Sequence, residues 1–210
     1  MIRNYTFWMA LVAVSLVLSA GKGPKLTMTK VAEGVTVGLP KDWFPMTDDD
    51  IASKYPSTKK PLAMYTYLDR TANFGVNLSK SLFPGNDPRV LLETYKATII
   101  DSYDKVDWIQ CDTAVINGRI YSVYEYTAVF DKTTSYNYLQ YTVVQSHIVI
   151  FNFECPTKDK DKWAPIAKSM MQSVRLNPKQ MVLPEKKQAD NRGMSPDKVL
   201  QDQKSRKQKK

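Results

Sequence analysis

The sequence predicts an α+β fold, an antiparallel β-sheet of about six to seven strands flanked by helices. Three observations carry that expectation. Residues 108–155 hold four successive runs rich in Val, Ile, Tyr and Phe, separated by short turn signals, as in an antiparallel meander. Residues 62–68 and 73–80 add a second β-rich pair around a four-residue loop. Two other segments, after Asp87 and after Lys160, repeat apolar residues every three or four positions, the period of an amphipathic helix.

Taken in chain order, the first element is a targeting segment. Arg3 precedes an uncharged, mostly apolar run over residues 5–20 that ends in Ser19, Ala20 and Gly21. That run is shorter than the roughly 20 residues a membrane-spanning helix needs, so residues 1–21 read as a signal peptide cleaved after Gly21. The expected location is periplasmic or secreted, and the alternative is a membrane anchor formed by the uncleaved signal. No cysteine follows Ser19-Ala20, so a lipoprotein attachment site is not expected. Residues 22–30 read as a linker, 31–176 as one domain, and 177–210 as a basic, disordered tail.

Within the domain, Val35, Val37 and Leu39 alternate in a first strand over 33–39, which Pro40 ends. Lys41-Asp42-Trp43 follows as a turn carrying a large aromatic. Thr47 and Asp50 have capping-box spacing, which predicts a short helix through Lys54. The hairpin of 62–68 and 73–80 comes next. Asp87 is placed to cap a helix and Pro88 to occupy its first position, with Leu92, Tyr95, Ile99 and Tyr103 on one face. Asn117-Gly118 is the strongest hairpin signal in the meander, and further turns fall near 131–134 and 145–147. A last helix over 161–174 aligns Trp163, Ile166, Ala167, Met170 and Val174, with Pro165 tolerated near its first turn.

Apolar residues make up 43% of the chain and charged residues 24%, which suits a folded domain with a core rather than a disordered or multi-spanning chain. The net charge of +9 is concentrated at the C-terminus, where residues 177–210 hold ten Lys/Arg against four acids. The domain itself is close to neutral. Attraction to an anionic surface therefore belongs to the tail, and a nucleic-acid partner is not expected.

The residues that could carry chemistry are few. His147 is the sole histidine and sits beside a turn, where an exposed imidazole is the ordinary outcome. Asp48-Asp49-Asp50 lacks the glycine and final glutamate of a calcium loop and reads as helix punctuation. No Cys/His cluster has metal-ligand spacing and no glycine-rich phosphate loop is present, so neither metal nor cofactor is expected. Cys111 and Cys155 fall on strands that a meander separates by two others, too far for the ~5.5 Å Cα spacing of a disulfide, and are expected to stay unpaired. A carboxylate pair of Glu125 with Glu154 is conceivable from strand neighbourhood alone.

Tyrosines are concentrated in the predicted strands. Packing within the sheet accounts for most of them, and the alternative is a binding face made of Tyr124, Tyr126, Tyr136 and Tyr138, with Tyr136 and Tyr138 on one side of their strand.

Leu39-Pro40-Lys41-Asp42-Trp43, the Tyr124-Glu125-Tyr126 strand and the closing Met171-Gln172-Ser173-Val174-Arg175, in this order of elements, resemble the PsbP-like superfamily, including bacterial DcrB-like envelope proteins. The resemblance spans residues 31–176. It implies a sheet sandwiched between helices and used for binding rather than catalysis. Similar proteins include an extrinsic subunit of the oxygen-evolving complex, a Ran-binding nuclear import factor and bacterial envelope or chaperone-like proteins. The family pattern supplies no catalytic residues to carry over. The expected function is a non-catalytic envelope or secreted binding module with a protein partner, chaperone-like or accessory to an envelope complex. The alternative is a small-ligand carrier or a hydrolytic enzyme with an unrecognised site.

Overall fold

The computed structural model describes residues 24–55, 60–85 and 87–183. Residues 1–21, expected to form a signal peptide, and most of the basic tail lie outside the described residues. Strands β1 (Leu26–Ala32), β2 (Val35–Pro40) and β10 (Arg175–Leu176) form a three-stranded sheet in the order β1-β2-β10. Strands β3 (Trp43–Pro45), β4 (Ala63–Tyr67), β5 (Asn73–Leu82), β6 (Lys105–Ile116), β7 (Arg119–Phe130), β8 (Thr133–Val144) and β9 (His147–Pro156) form a seven-stranded sheet. Its order is β3-β4-β5-β9-β8-β7-β6, and every pairing is antiparallel. Helices α1 (Asp48–Lys54), α2 (Arg89–Ser102) and α3 (Lys160–Gln172) complete the α+β fold. Among the described residues no helix is long and apolar enough to cross a membrane.

The meander forms because its turns match the sheet twist. Asn117 and Gly118 have φ of 49° and 77°, Asp131 and Lys132 44° and 63°, and Gln145 and Ser146 48° and 68°. Two consecutive left-handed residues make the hairpin connection whose twist agrees with that of the flanking strands. Only the first of the three turns uses the residue pair best suited to it.

Period-two alternation then sorts the side chains onto two faces. On one face Phe74, Tyr121, Val123, Tyr136, Phe151 and Phe153 pack beneath β2 and α3, which contribute Val35, Val37, Trp163 and Met170. Trp163 sits edge-on to Trp43 and Tyr67, at centroid distances of 5.7 and 4.8 Å. On the other face Tyr124, Tyr126, Ala128 and Tyr141 pack beneath α2, which contributes Leu91 and Ile99.

The sequence reading places a linker over 22–30 and the first strand over 33–39. The structure instead starts β1 within the supposed linker, carries it two residues past its end to Ala32, and leaves Glu33 and Gly34 as the turn to β2. Strand β1 borders the small sheet, so its outward positions are polar or exposed and its sequence shows little apolar alternation. At Gly34 (φ +72°) an added Cβ would lie 2.6 Å from the Asn177 carbonyl oxygen and 2.7 Å from Met181 Cγ, so the chain beyond β10 closes directly over this turn.

The capping box of α1 is present: the Thr47 hydroxyl accepts from the Asp50 N–H at 3.1 Å and the Asp50 carboxylate accepts from the Thr47 N–H at 3.4 Å. Helix α2 begins one residue later than expected. Pro88 occupies its N-cap, and the Asp87 carboxylate accepts from the Arg89 N–H at 3.0 Å. Pro165 falls inside α3, which a short 3-10 turn over Thr157–Asp159 precedes.

Candidate functional site

Helix α3 packs on β2, β8 and β9 and leaves the β6 rim of the sheet outside its cover. A groove of about 360 Å³ results, bounded by Lys168 and Gln172 on α3, by Gln110, Ala114 and Ile116 on β6, and by Tyr138. Strand β6 ends the sheet, so its outer backbone N–H and C=O groups have no ladder partner among the described residues. Ile109 and Val115 on this strand are 45% and 72% exposed. A bulge between Trp108 and Gln110 bends the strand and interrupts the free edge.

Beneath the groove lies a buried carboxylate. Glu125 is only 2% exposed, yet alternation assigns it to the inward face of β7 beside Val123. The Tyr136 hydroxyl donates to its Oε1 at 3.0 Å, and Lys168 Nζ stands 2.9 Å from its Oε2. The Lys168 side chain is 45% exposed, so the ion pair joins the protein interior to the groove wall. Burial first, and the neighbouring Glu125 charge second, push the Tyr136 phenol well above its ordinary range. Tyr136 therefore stays a donor, and the buried Glu125 Oε2 faces the Lys168 ammonium as an ion pair without a hydrogen bond of its own.

The four tyrosines expected as one binding face are divided between the two faces of the sheet and are all buried. Tyr136 and Tyr138 lie under α3, whereas Tyr124 and Tyr126 lie under α2. Helices roof both sides, which sequence alternation does not reveal. The Tyr124 hydroxyl donates to the Leu91 and Leu92 carbonyl oxygens at 3.0 and 3.2 Å, anchoring α2 to the sheet. Of the four, only Tyr138 borders the groove.

The other candidates are also structural. Glu125 and Glu154 do not meet: Glu125 opposes Tyr138, which opposes Phe153, so Glu154, the next residue of β9, points to the opposite face. Glu154 instead accepts from the Tyr55 hydroxyl and from Asn73 Nδ2 at 3.4 Å. His147 opens β9 rather than occupying an exposed turn. It is 2% exposed, and its Nδ1 lies 3.0 Å from the Ser79 carbonyl oxygen. Cys111 and Cys155 are free thiols on β6 and β9, with β7 and β8 between them. Burial pushes the Cys155 thiol up to about 12, far from a reactive thiolate. Among the described residues no group of three or more His, Cys, Asp or Glu is arranged to hold a metal ion.

The groove residues Lys168, Gln110 and Val115 escape the sequence reading. One signal was present: Glu125 shares the inward set of Tyr121 and Val123, and an acid at such a position requires a partner from the covering helix.

No family model matches the chain, and no curated protein matches its sequence. Solved structures do match its fold. The chain is similar to cyanobacterial PsbP from Synechocystis, with a TM-score of 0.53 and 13% identity over 77% of this chain and 99% of that one. It is also similar to LpqN of Mycobacterium tuberculosis, described as involved in cell envelope biogenesis, with a TM-score of 0.54 and 11% identity over 72% of this chain and 90% of that one. The architecture is therefore PsbP-like.

Proposed function

We propose that this protein is a non-catalytic binding module of the cell envelope or secreted fraction, and that it engages a protein partner along β6. The observation that carries this reading is the pairing of a twelve-residue border strand with an adjacent groove. An extended segment of the partner adds to the free edge of β6, where main-chain hydrogen bonds supply affinity. Specificity comes from the groove, where Ala114 and Tyr138 receive an apolar group and Gln110, Gln172 and Lys168 surround it with polar atoms. The absence of catalysis is supported by how the reactive side chains are employed: His147, Glu125 and Glu154 are bonded within the fold, and Cys155 is buried. A small-ligand carrier would call for an enclosed pocket with converging polar groups. The groove, in contrast, opens along the rim of the sheet.

The envelope location rests on the signal-peptide anatomy of residues 1–21 and on the fold shared with LpqN, itself an envelope-biogenesis protein. Photo-crosslinking from position 115 in intact cells tests the interface, with position 130 as the control, since Phe130 is 61% exposed at the far end of β7. A discrete protein adduct from position 115, absent from 130 and weakened by Gln110→Pro, is expected. Identical adducts from both positions would remove the proposal.

A further inference from the structure

On the α2 side the cover of the large sheet is thinner over β5, β9 and β8. Helix α2 packs on β6 and β7, while Tyr55, just past α1, reaches Glu154 of β9. Along β9 the positions facing α3 are buried throughout, whereas Ile150, Asn152 and Glu154 on the other side are half-buried, as are Asn77 on β5 and Leu139 on β8. Asn73, Glu154 and Asn137 stand opposite one another on the three strands. Two positions along, Asn152 lies between Gly75 and Leu139, and two further, Ile150 lies beside Asn77. Directly opposed residues of an antiparallel ladder share a face, so these side chains form one patch of roughly 10 by 13 Å.

Its amides are not all satisfied. Asn73 and Asn137 are only 1% and 4% exposed. Asn73 Nδ2 donates to Glu154 Oε1 at 3.4 Å, and its buried Oδ1 has no partner. Turning the amide over would set that oxygen against the carboxylate, so the bond to Glu154 fixes which end is orphaned. Asn77 Nδ2 donates to Asn152 Oδ1 at 3.2 Å, which leaves Asn77 Oδ1 as an acceptor and Asn152 Nδ2 as a donor with no further bond among the described residues. At Gly75 an added Cβ would lie 2.5 Å from Asn152 Oδ1, so the Asn152 amide lies over the bare glycine instead of reaching into solvent. A buried polar atom without a partner costs the fold stability, and this one opens towards further unused donors and acceptors.

The patch also carries no free charge: Lys54 Nζ stands 3.8 Å from Glu154 and the Tyr55 hydroxyl donates to the same carboxylate. An anion or a divalent cation therefore gains little there. Donors and acceptors side by side suit hydroxyl groups, which are both at once. Leu139 and Ile150, set among the amides, suit an apolar C–H surface. We infer that this patch binds a neutral glycan, with Asn77 and Asn152 holding ring hydroxyls, Asn73 Oδ1 and Glu154 accepting from the hydroxyl that enters deepest, and Leu139 and Ile150 meeting the C–H face of the ring. The polar groups spread over three strands, as a sugar ring requires; an extended peptide would be met along one line. The site lies on the opposite side of the sheet from the α3 groove and does not depend on the β6 reading.

Biolayer interferometry of the full chain against immobilised neutral oligosaccharides of glucose, mannose, galactose and N-acetylglucosamine tests this inference. Saturable binding to at least one of the four is expected. Asn152→Ala and Asn77→Ala should each weaken it about tenfold, the loss of one or two hydrogen bonds, whereas Lys30→Gln on the small sheet should leave it unchanged. Binding to none of the four, or equal binding by the asparagine variants, would overturn the proposal. Calcium is the second probe: if it raises the melting temperature through Glu154, an effect removed by Glu154→Gln, while no glycan binds, the patch is a cation site and the assignment fails. Asn77→Ala alters a half-buried side chain on β5 and keeps the test valid should Asn152→Ala unfold the protein. Crosslinking from position 115 reads the other site, so either result stands without the other.

Discussion

Strands β9 and β6 are both rich in β-branched and aromatic residues, but β9 is core along its length whereas β6 fully buries Ile116 alone. Strand β9 is paired on both sides, by β5 and β8, and roofed on both faces. Phe151 and Phe153 are completely buried on one face and Ile148 nearly so on the other. Strand β6 is paired by β7 alone, and Ile109 and Val115 remain in solvent. Position in the sheet therefore decides whether an apolar side chain supplies stability or stays available for contact. The bulge at Ile109 and the exposed charges of Lys105, Asp107 and Asp112 discourage indiscriminate pairing at this edge. A partner with the right register and side chains is thereby favoured over unrelated strands.

Alkaline titration should give the largest effect, because it acts on the covered strands and not on β6, which has no tyrosine. Burial is the first cause raising the phenols of Tyr121, Tyr124, Tyr126, Tyr136 and Tyr141 above their ordinary value of 10, that of Tyr121 to about 12. Raised folded values mean that the stability tied to these neutral phenols is fully present below about pH 10. It is lost as pH rises from there towards the folded values, because tyrosines in the unfolded chain ionise first. Circular dichroism against pH should show a flat stability plateau and then a steep fall above about 10, shallower in Tyr124→Phe. No difference between the two proteins would refute the assignment.

Next in size, Phe153→Ala on β9 should cost about 3–5 kcal/mol by denaturant unfolding, since it empties the space between Trp43, Tyr136 and Trp163. Lys168→Met should cost about 2 kcal/mol, less than the loss of a wholly buried partner, because water already reaches the half-exposed lysine. Its companion Lys168→Met/Glu125→Leu should recover most of that loss. Smallest is Val115→Asp on β6, expected within about 0.5 kcal/mol of the parent while partner capture falls. A cost as large as that of Phe153→Ala would show that β6 is covered after all.

The sequence made the meander legible because Asn117-Gly118 and the alternation on either side are local signals. Helix α3 was legible from the spacing of Trp163, Ala167 and Met170. Strand β1 was not, since a border strand with Thr and Lys outward lacks an apolar rhythm, and two-residue β10 exists only by pairing with β2. The site failed for a related reason. Alternation assigned Tyr136 and Tyr138 to one side of their strand, but whether a helix covers that side depends on contacts from α3, far along the chain. His147 was misplaced because nearness to a turn does not reveal that the Ser79 carbonyl of β5 closes over it. That β6 borders the sheet follows from strand order, which no local pattern states.

Hydrogen–deuterium exchange on the full chain, alone and with the protein captured from position 115, tests the central claim most directly. The account predicts slowed exchange along Lys105–Ile116 with unchanged rates in His147–Pro156. Unchanged exchange in β6, with protection confined to α2 or to the small sheet, would contradict it.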